Sequence, residues 1–215
     1  MNAARSHLFW GAFSPLGGLA GGGLLIMASA RLAWALSVSG ALLWVYFFSV
    51  LLSFPGSVGR GRKIYPRQGK SLVLIFLASF IGSIYLLLLW FLCPLAALEV
   101  FFPLCLTPLF CTGSGLFKRI EPLDLGEALF RAVSEALVVG GLLIVLALIR
   151  EPLGFSSLSL PGSAQGIVLL FSFKAESFLP VRIIASSAGA LLLLGYCAGL
   201  YRYFKSIYAP REGDQ

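Results

Sequence analysis

A run of about 20 mostly apolar residues is long enough to cross a bilayer, and in lipid only a helix or a closed barrel can satisfy its own backbone. This chain contains six such runs, at roughly 7–28, 32–54, 71–92, 95–113, 127–149 and 180–204. Little of the chain lies outside them. Of the 215 residues, 59% are hydrophobic and 12% are charged, whereas a soluble domain is about a quarter charged. The sequence therefore predicts one all-α integral membrane domain over 1–215, with six transmembrane helices and no sizeable soluble part.

Two of the six runs carry helix breakers at matching places. Phe13-Ser14-Pro15-Leu16 returns as Phe101-Phe102-Pro103-Leu104, and each copy is followed by a glycine cluster (Gly17, Gly18 and Gly21 to Gly23; then Gly113 and Gly115). Proline removes a backbone donor and interrupts a helix. Broken segments at corresponding positions in two halves point to a site between inverted repeats. The copies lie in the first and fourth runs, an odd number of crossings apart, so the second enters the membrane from the other side. The expected architecture is two inverted three-helix repeats, about 7–92 and 95–204. Each begins with a broken helix, the second interrupted at Pro103 and Pro108.

Lys and Arg orient such a protein, because cytoplasmic loops hold the excess. One side receives Arg5, Arg60, Arg62, Lys63, Arg67, Lys70, Lys118, Arg119, Arg131, Arg202, Lys205 and Arg211; the other receives only Arg31, Arg150, Lys174 and Arg182. Both termini are expected in the cytoplasm of a bacterial inner membrane. The net charge of +7 is a topology signal, not a nucleic-acid footprint. Residues 55–70 form a basic cytoplasmic loop. Residues 151–179 are expected to fold over the outer face, with an interfacial piece near Ile167 to Phe173.

Enzyme motifs are absent. His7 is the only histidine, and there is no P-loop, dinucleotide fingerprint or HExxH. The chain is expected to have no catalytic site of its own. Ionisable residues at membrane depth are functional candidates because they are costly there. Arg131 and Glu135 are four apart, which puts them on one helix face, where they can pair. Glu99 and Arg31 are expected at the outer boundary. In Arg150-Glu151-Pro152-Leu153-Gly154, Pro152 is expected to stop the helix and Gly154 to turn the chain. The adjacent Arg150 and Glu151 then read as a solvated helix end.

These motifs also resemble a known family, the paired six-helix membrane subunits of the Rnf and Nqr electron-transport complexes. The chain is most similar to the E subunit of Rnf, the counterpart of the D subunit of Nqr. Phe13-Ser14-Pro15-Leu16 resembles the family's L-C-P-L in the first broken helix. Phe102-Pro103-Leu104-Cys105-Leu106-Thr107-Pro108-Leu109 resembles I-P-L-I-V-T-N-C in the second. Ile149-Arg150-Glu151-Pro152-Leu153-Gly154 resembles L-R-E-I-L-G. The likeness covers most of the chain from about residue 70 onward.

The resemblance implies a subunit of an Rnf-type translocase. Such a complex passes electrons between ferredoxin and NAD, coupled to Na⁺ or H⁺ movement, and this chain would sit beside an antiparallel A-type homologue. It also implies a [2Fe–2S] cluster shared by the two chains, each giving one thiolate per broken helix. Ser14 and Leu109 occupy those two positions here, with Cys111 two residues further on. Leu92-Cys93-Pro94-Leu95 spells L-C-P-L in the wrong place, between the third and fourth runs. Three outcomes follow: a scaffold without a cluster, an altered site using Cys111 and Ser14, or a cluster held mainly by the partner. A different class of function, a small secondary transporter or its membrane substrate-binding component, suits broken inverted repeats equally.

Overall fold

The computed structural model describes residues 27–53, 67–113, 124–162, 167–172 and 182–208. The first broken helix, with Ser14 and Pro15, lies outside these residues, as does most of the basic loop 55–70. The described residues are mainly helical. In chain order they form α1 (Leu32–Ser53), α2 (Arg67–Leu92), α3 (Pro94–Gly113), α4 (Leu125–Phe155), strands β1 (Ser157–Pro161) and β2 (Ile167–Ser172), the short α5 (Arg182–Ala185) and α6 (Ser187–Tyr208). Among the described residues, three helical stretches are long and apolar enough to cross a membrane: Leu32–Leu52, Ile75–Leu92 and Leu125–Phe155.

The helix α1 is the hub. Its Val38, Ala41, Leu42, Val45, Tyr46 and Val50 are buried, and it packs against α2, α3, α4 and β1. Its main partner is α4, which turns a stripe of mostly small residues inward: Ala128, Ala132, Ala136, Val139, Gly140, Leu143 and Ala147. Steps of three and four place these on one helical face. Without a hydrophobic drive between helices in lipid, close approach of small residues supplies the contact. The two helices are antiparallel. Ser39 Oγ of α1 donates to Gly140 O of α4 at 3.2 Å, while Leu32 at the start of α1 meets Glu151 near the end of α4.

That close approach sets opposite fates for two adjacent glycines. A Cβ on Gly140 would stand 3.0 Å from both Cβ and Oγ of Ser39, whereas one on exposed Gly141 would meet nothing within 4 Å. Gly140→Ala is expected to lose about 1–3 kcal/mol by overpacking. Gly141→Ala is expected to gain about 0.5–1 kcal/mol from helix propensity. Thermal unfolding in mild detergent reads both, and equal shifts would remove the case for a tight α1–α4 crossing.

The helices α2 and α3 fold back on each other around Cys93. Cys93 N–H donates to Leu89 O at 2.7 Å, and Ala97 N–H to Cys93 O at 2.9 Å, so one residue joins two helical turns. Lower down, Gly82 of α2 lies against the ring of Pro108 of α3. Tyr85 donates from its hydroxyl to Ser37 O at 3.0 Å and ties α2 to α1.

Three sequence expectations change here. The helix α3 is not interrupted: it runs through both Pro103 and Pro108. Neighbouring helices and a nearby hydroxyl hold such a backbone in register, and Thr107 Oγ1 donates to Pro103 O at 3.4 Å. Nor does Pro152 stop α4, which continues to Phe155. The left-handed residue that closes it is Ser156 (φ 52°), not Gly154, and its N–H reaches Pro152 O at 3.0 Å. A proline in the last turn forfeits a single intrahelical bond, which leaves the turn intact. Finally, the stretch beyond it is a β-hairpin. β1 and β2 pair antiparallel with an irregularity between Leu158 and Ser159.

Candidate functional site: a buried charged tie at one end of the bundle

The end of α4, the start of α1, the α2–α3 turn and the α5–α6 junction meet at one end of the bundle. Arg150 and Glu151 are each only 1% exposed there, which corrects the expectation of a solvated helix end. Adjacent residues on a helix diverge by about 100°, so the two side chains take different partners. Arg150 donates from Nε to Ile184 O at 3.1 Å, from one terminal nitrogen to Ser29 Oγ at 2.5 Å, and from the other to Ser186 O at 3.0 Å. These directions use the planar fork of a guanidinium. Two of the acceptors are carbonyls at the C-terminus of α5 and just beyond it, where a cation is favoured.

Glu151 acts at the opposite kind of terminus. Its Oε2 accepts from Leu32 N–H at 2.8 Å, and Leu32 is the first residue of α1. A carboxylate there satisfies an otherwise unpaired amide and faces the positive end of the helix dipole. One dipeptide thus clamps two elements, with an anion on a helix start and a cation on carbonyls at a helix end.

Above this tie sits a half-exposed layer. Arg31 and Glu99 approach to 4.0 Å, with side chains 38% and 41% exposed. Trp34 Nε1 donates to Glu99 Oε2 at 3.3 Å. The Arg31 guanidinium lies 5.7 Å from the Trp34 ring centre and 5.5 Å from that of Phe155. Amphipathic residues of this type gather at a membrane boundary. Arg31 and Arg150, which the charge pattern assigned to one side, do stand at one end, and Arg131 stands near the other end of α4.

The remaining candidates cluster less well. Pro103 is buried within α3, Leu109 belongs to the same helix, and Cys111 is fully buried. Its neighbour Phe110 is also buried, with its ring 6.4 Å from that of Tyr46 in α1. Arg131 and Glu135 stand one turn apart in the first part of α4. Arg131 is exposed and Glu135 half-buried, and Glu135 lies within electrostatic reach of Cys111. One helical turn carries the second residue toward the core side and leaves the first at the rim.

A [2Fe–2S] cluster needs thiolates, and the donor set does not suit one. No cysteine precedes Cys93, so residues 1–92 have none to give. In α3 the two thiols diverge, Cys111 facing the core and Cys105 facing outward. Among the described residues, no three of His, Cys, Asp or Glu stand close enough to hold a metal ion. The opposed exposures have a direct readout. Cys105 faces lipid or detergent, where a thiol ionises poorly, so N-ethylmaleimide is expected to label it slowly in the folded protein and Cys111 only after denaturation. Peptide mass spectrometry would detect the difference, and equal labelling of both would contradict the burial of Cys111.

The fold and this tie define a polytopic, mainly helical membrane protein. No protein-family model matches the chain, and neither does any curated protein or solved structure.

Proposed function

We propose that the chain is a non-catalytic membrane subunit of a redox-driven, ion-translocating complex of the Rnf type. In this reading it has six transmembrane helices in two inverted repeats and both termini in the cytoplasm of a bacterial inner membrane. It stands beside an antiparallel homologous subunit and helps carry, or frames, electron transfer between ferredoxin and NAD coupled to Na⁺ or H⁺ movement. It acts as a scaffold and supplies no cluster ligand pair of its own, because Ser14 and Leu109 stand at the two ligand positions.

The observation that supports this reading most is the I-R-E-P-L-G run. The residues that carry the family likeness at 149–154 are also those that hold the bundle together, through Arg150 and Glu151. Charged side chains are buried in a small membrane domain only when their partners are built for them, so the motif marks an architectural requirement. The broad bare surface of α2, with Phe76, Phe80, Leu87 and Phe91 exposed, suits a chain flanked by lipid and by other subunits.

The deciding experiment is affinity purification of the chain from its own membranes in mild detergent, followed by flavin and iron analysis. Co-purifying flavin- and iron-bearing subunits that oxidise NADH or reduced ferredoxin are expected. A chain recovered alone, or together with an ATPase, would overturn the reading and favour a transporter component.

A further inference from the structure

The hairpin that follows α4 has a surface unsuited to water. In β2, Val168, Leu169, Leu170 and Phe171 are 43–65% exposed. In the antiparallel register, Val168 and Phe171 stand opposite Leu160 and Leu158, while Leu169 stands opposite Ser159. Apolar side chains therefore project from both faces of β2. The inner strand is different: Leu158 and Leu160 pack against the helical core, and Ser159 is fully buried. Among the described residues the sheet has two strands, with β2 at its edge. Soluble proteins guard such an edge with charge or proline. From Pro152 through Phe173 this chain has no charged residue at all.

We propose that β2 is a lipid-binding element, seated in the headgroup and upper acyl layer of the leaflet at the Arg150 end. Three observations select lipid as its occupant. First, the hairpin packs on α4 through β1, and α4 itself exposes Val145, Leu148 and Phe155 on a helix of spanning length. Second, the depth is marked. Arg31 lies over the Phe155 ring beside half-exposed Glu99 and the Trp34 indole, the residue types of the membrane–water boundary. Third, the backbone edge sets a limit. An open sheet edge is not tolerated in hydrocarbon, and a strand of six residues reaches only about 20 Å against a core of about 30 Å. The strand therefore lies along the boundary, where its edge meets headgroups and water and its side chains meet acyl chains. It would restrain the chain between α4 and α5 against the bilayer. The inference rests on α4 spanning the membrane and holds whether or not the chain belongs to a redox complex.

The test uses the full chain in vesicles of phosphatidylcholine and phosphatidylglycerol. An environment-sensitive fluorescent amino acid is introduced at Leu169 by genetic-code expansion, and in a second variant at Phe171, so that one misfolded variant does not end the experiment. The expected result is blue-shifted emission, quenched strongly by a spin label near the lipid headgroup and weakly by iodide. Dominant quenching by iodide would place the strand in water. Dominant quenching by a spin label at the acyl chain end would place it in the core. Protection from every quencher would mean that protein covers it. Each of those three results overturns the proposal.

Discussion

Arg150→Ala is expected to cost about 3 kcal/mol of stability, because it empties a buried site and removes the donor of three charge-assisted hydrogen bonds, two of them only part-buried, where one such bond is worth about 1.5–3 kcal/mol. The acceptors are Ser29 Oγ, Ile184 O and Ser186 O. Two substitutions separate the possible causes. Arg150→Met keeps much of the apolar stem and removes every donor; if hydrogen bonding dominates, it falls close to Ala. Arg150→Lys keeps a charge, but a single ammonium cannot span three acceptors that lie in different directions, so it is expected between Met and wild type. Because the group is buried, the loss is expected to change little with ionic strength. Glu151→Gln keeps an acceptor for Leu32 N–H and loses only the charge at the α1 N-terminus, a smaller cost of about 0.3–1 kcal/mol. Unfolding followed by tryptophan fluorescence in mild detergent reads the series. An Arg150→Ala protein as stable as wild type would remove the clamp.

The clamp was hidden from the sequence for a physical reason. An Arg-Glu pair followed by proline looks like a helix ending in water, and nothing local contradicts that. The partners that bury it, Ser29 and Leu32, lie 121 and 119 residues away. The apolar spans were legible because length and composition alone decide whether a helix can cross a bilayer, and α1, α2 and α4 meet that criterion. The breaks were legible as prolines but not as structure. Pro103 and Pro108 weaken α3 locally, yet the packing of α3 against α1 and α2 outweighs two lost backbone bonds. The hairpin was masked in the same way. Ser157-Leu158-Ser159-Leu160 alternates as a strand should, but only four residues long and beside Pro161 and Gly162, so turn signals dominated. The resemblance located the Arg150 region through its motif without revealing what the residues do. Ser14 and Pro15, on which the cluster expectation rests, fall outside the described residues.

Gly189→Ala is expected to be about as damaging as loss of the arginine, although only a methyl group is added. Ser186 breaks the chain between α5 and α6 and caps the second helix. Its Oγ accepts from Gly189 N–H at 3.3 Å and donates to Ile183 O at 2.6 Å. A Cβ on Gly189 would collide with the backbone of Ile183 and Ile184, and backbone cannot swing aside as a side-chain tip can. The junction must open, and a forced opening of this kind costs about 3 kcal/mol, at the upper end of overpacking. Opening it also moves Ile184 O and Ser186 O, two of the acceptors of Arg150. The two sites are therefore coupled, and the Arg150→Ala, Gly189→Ala double variant is expected to lose clearly less than the sum of the single losses. Ser186→Ala removes the cap alone and is expected to cost about 1 kcal/mol. Additive losses in the double variant would mean that the junction and the clamp are independent. A Gly189→Ala protein that unfolds like wild type would mean that the junction has room the geometry denies.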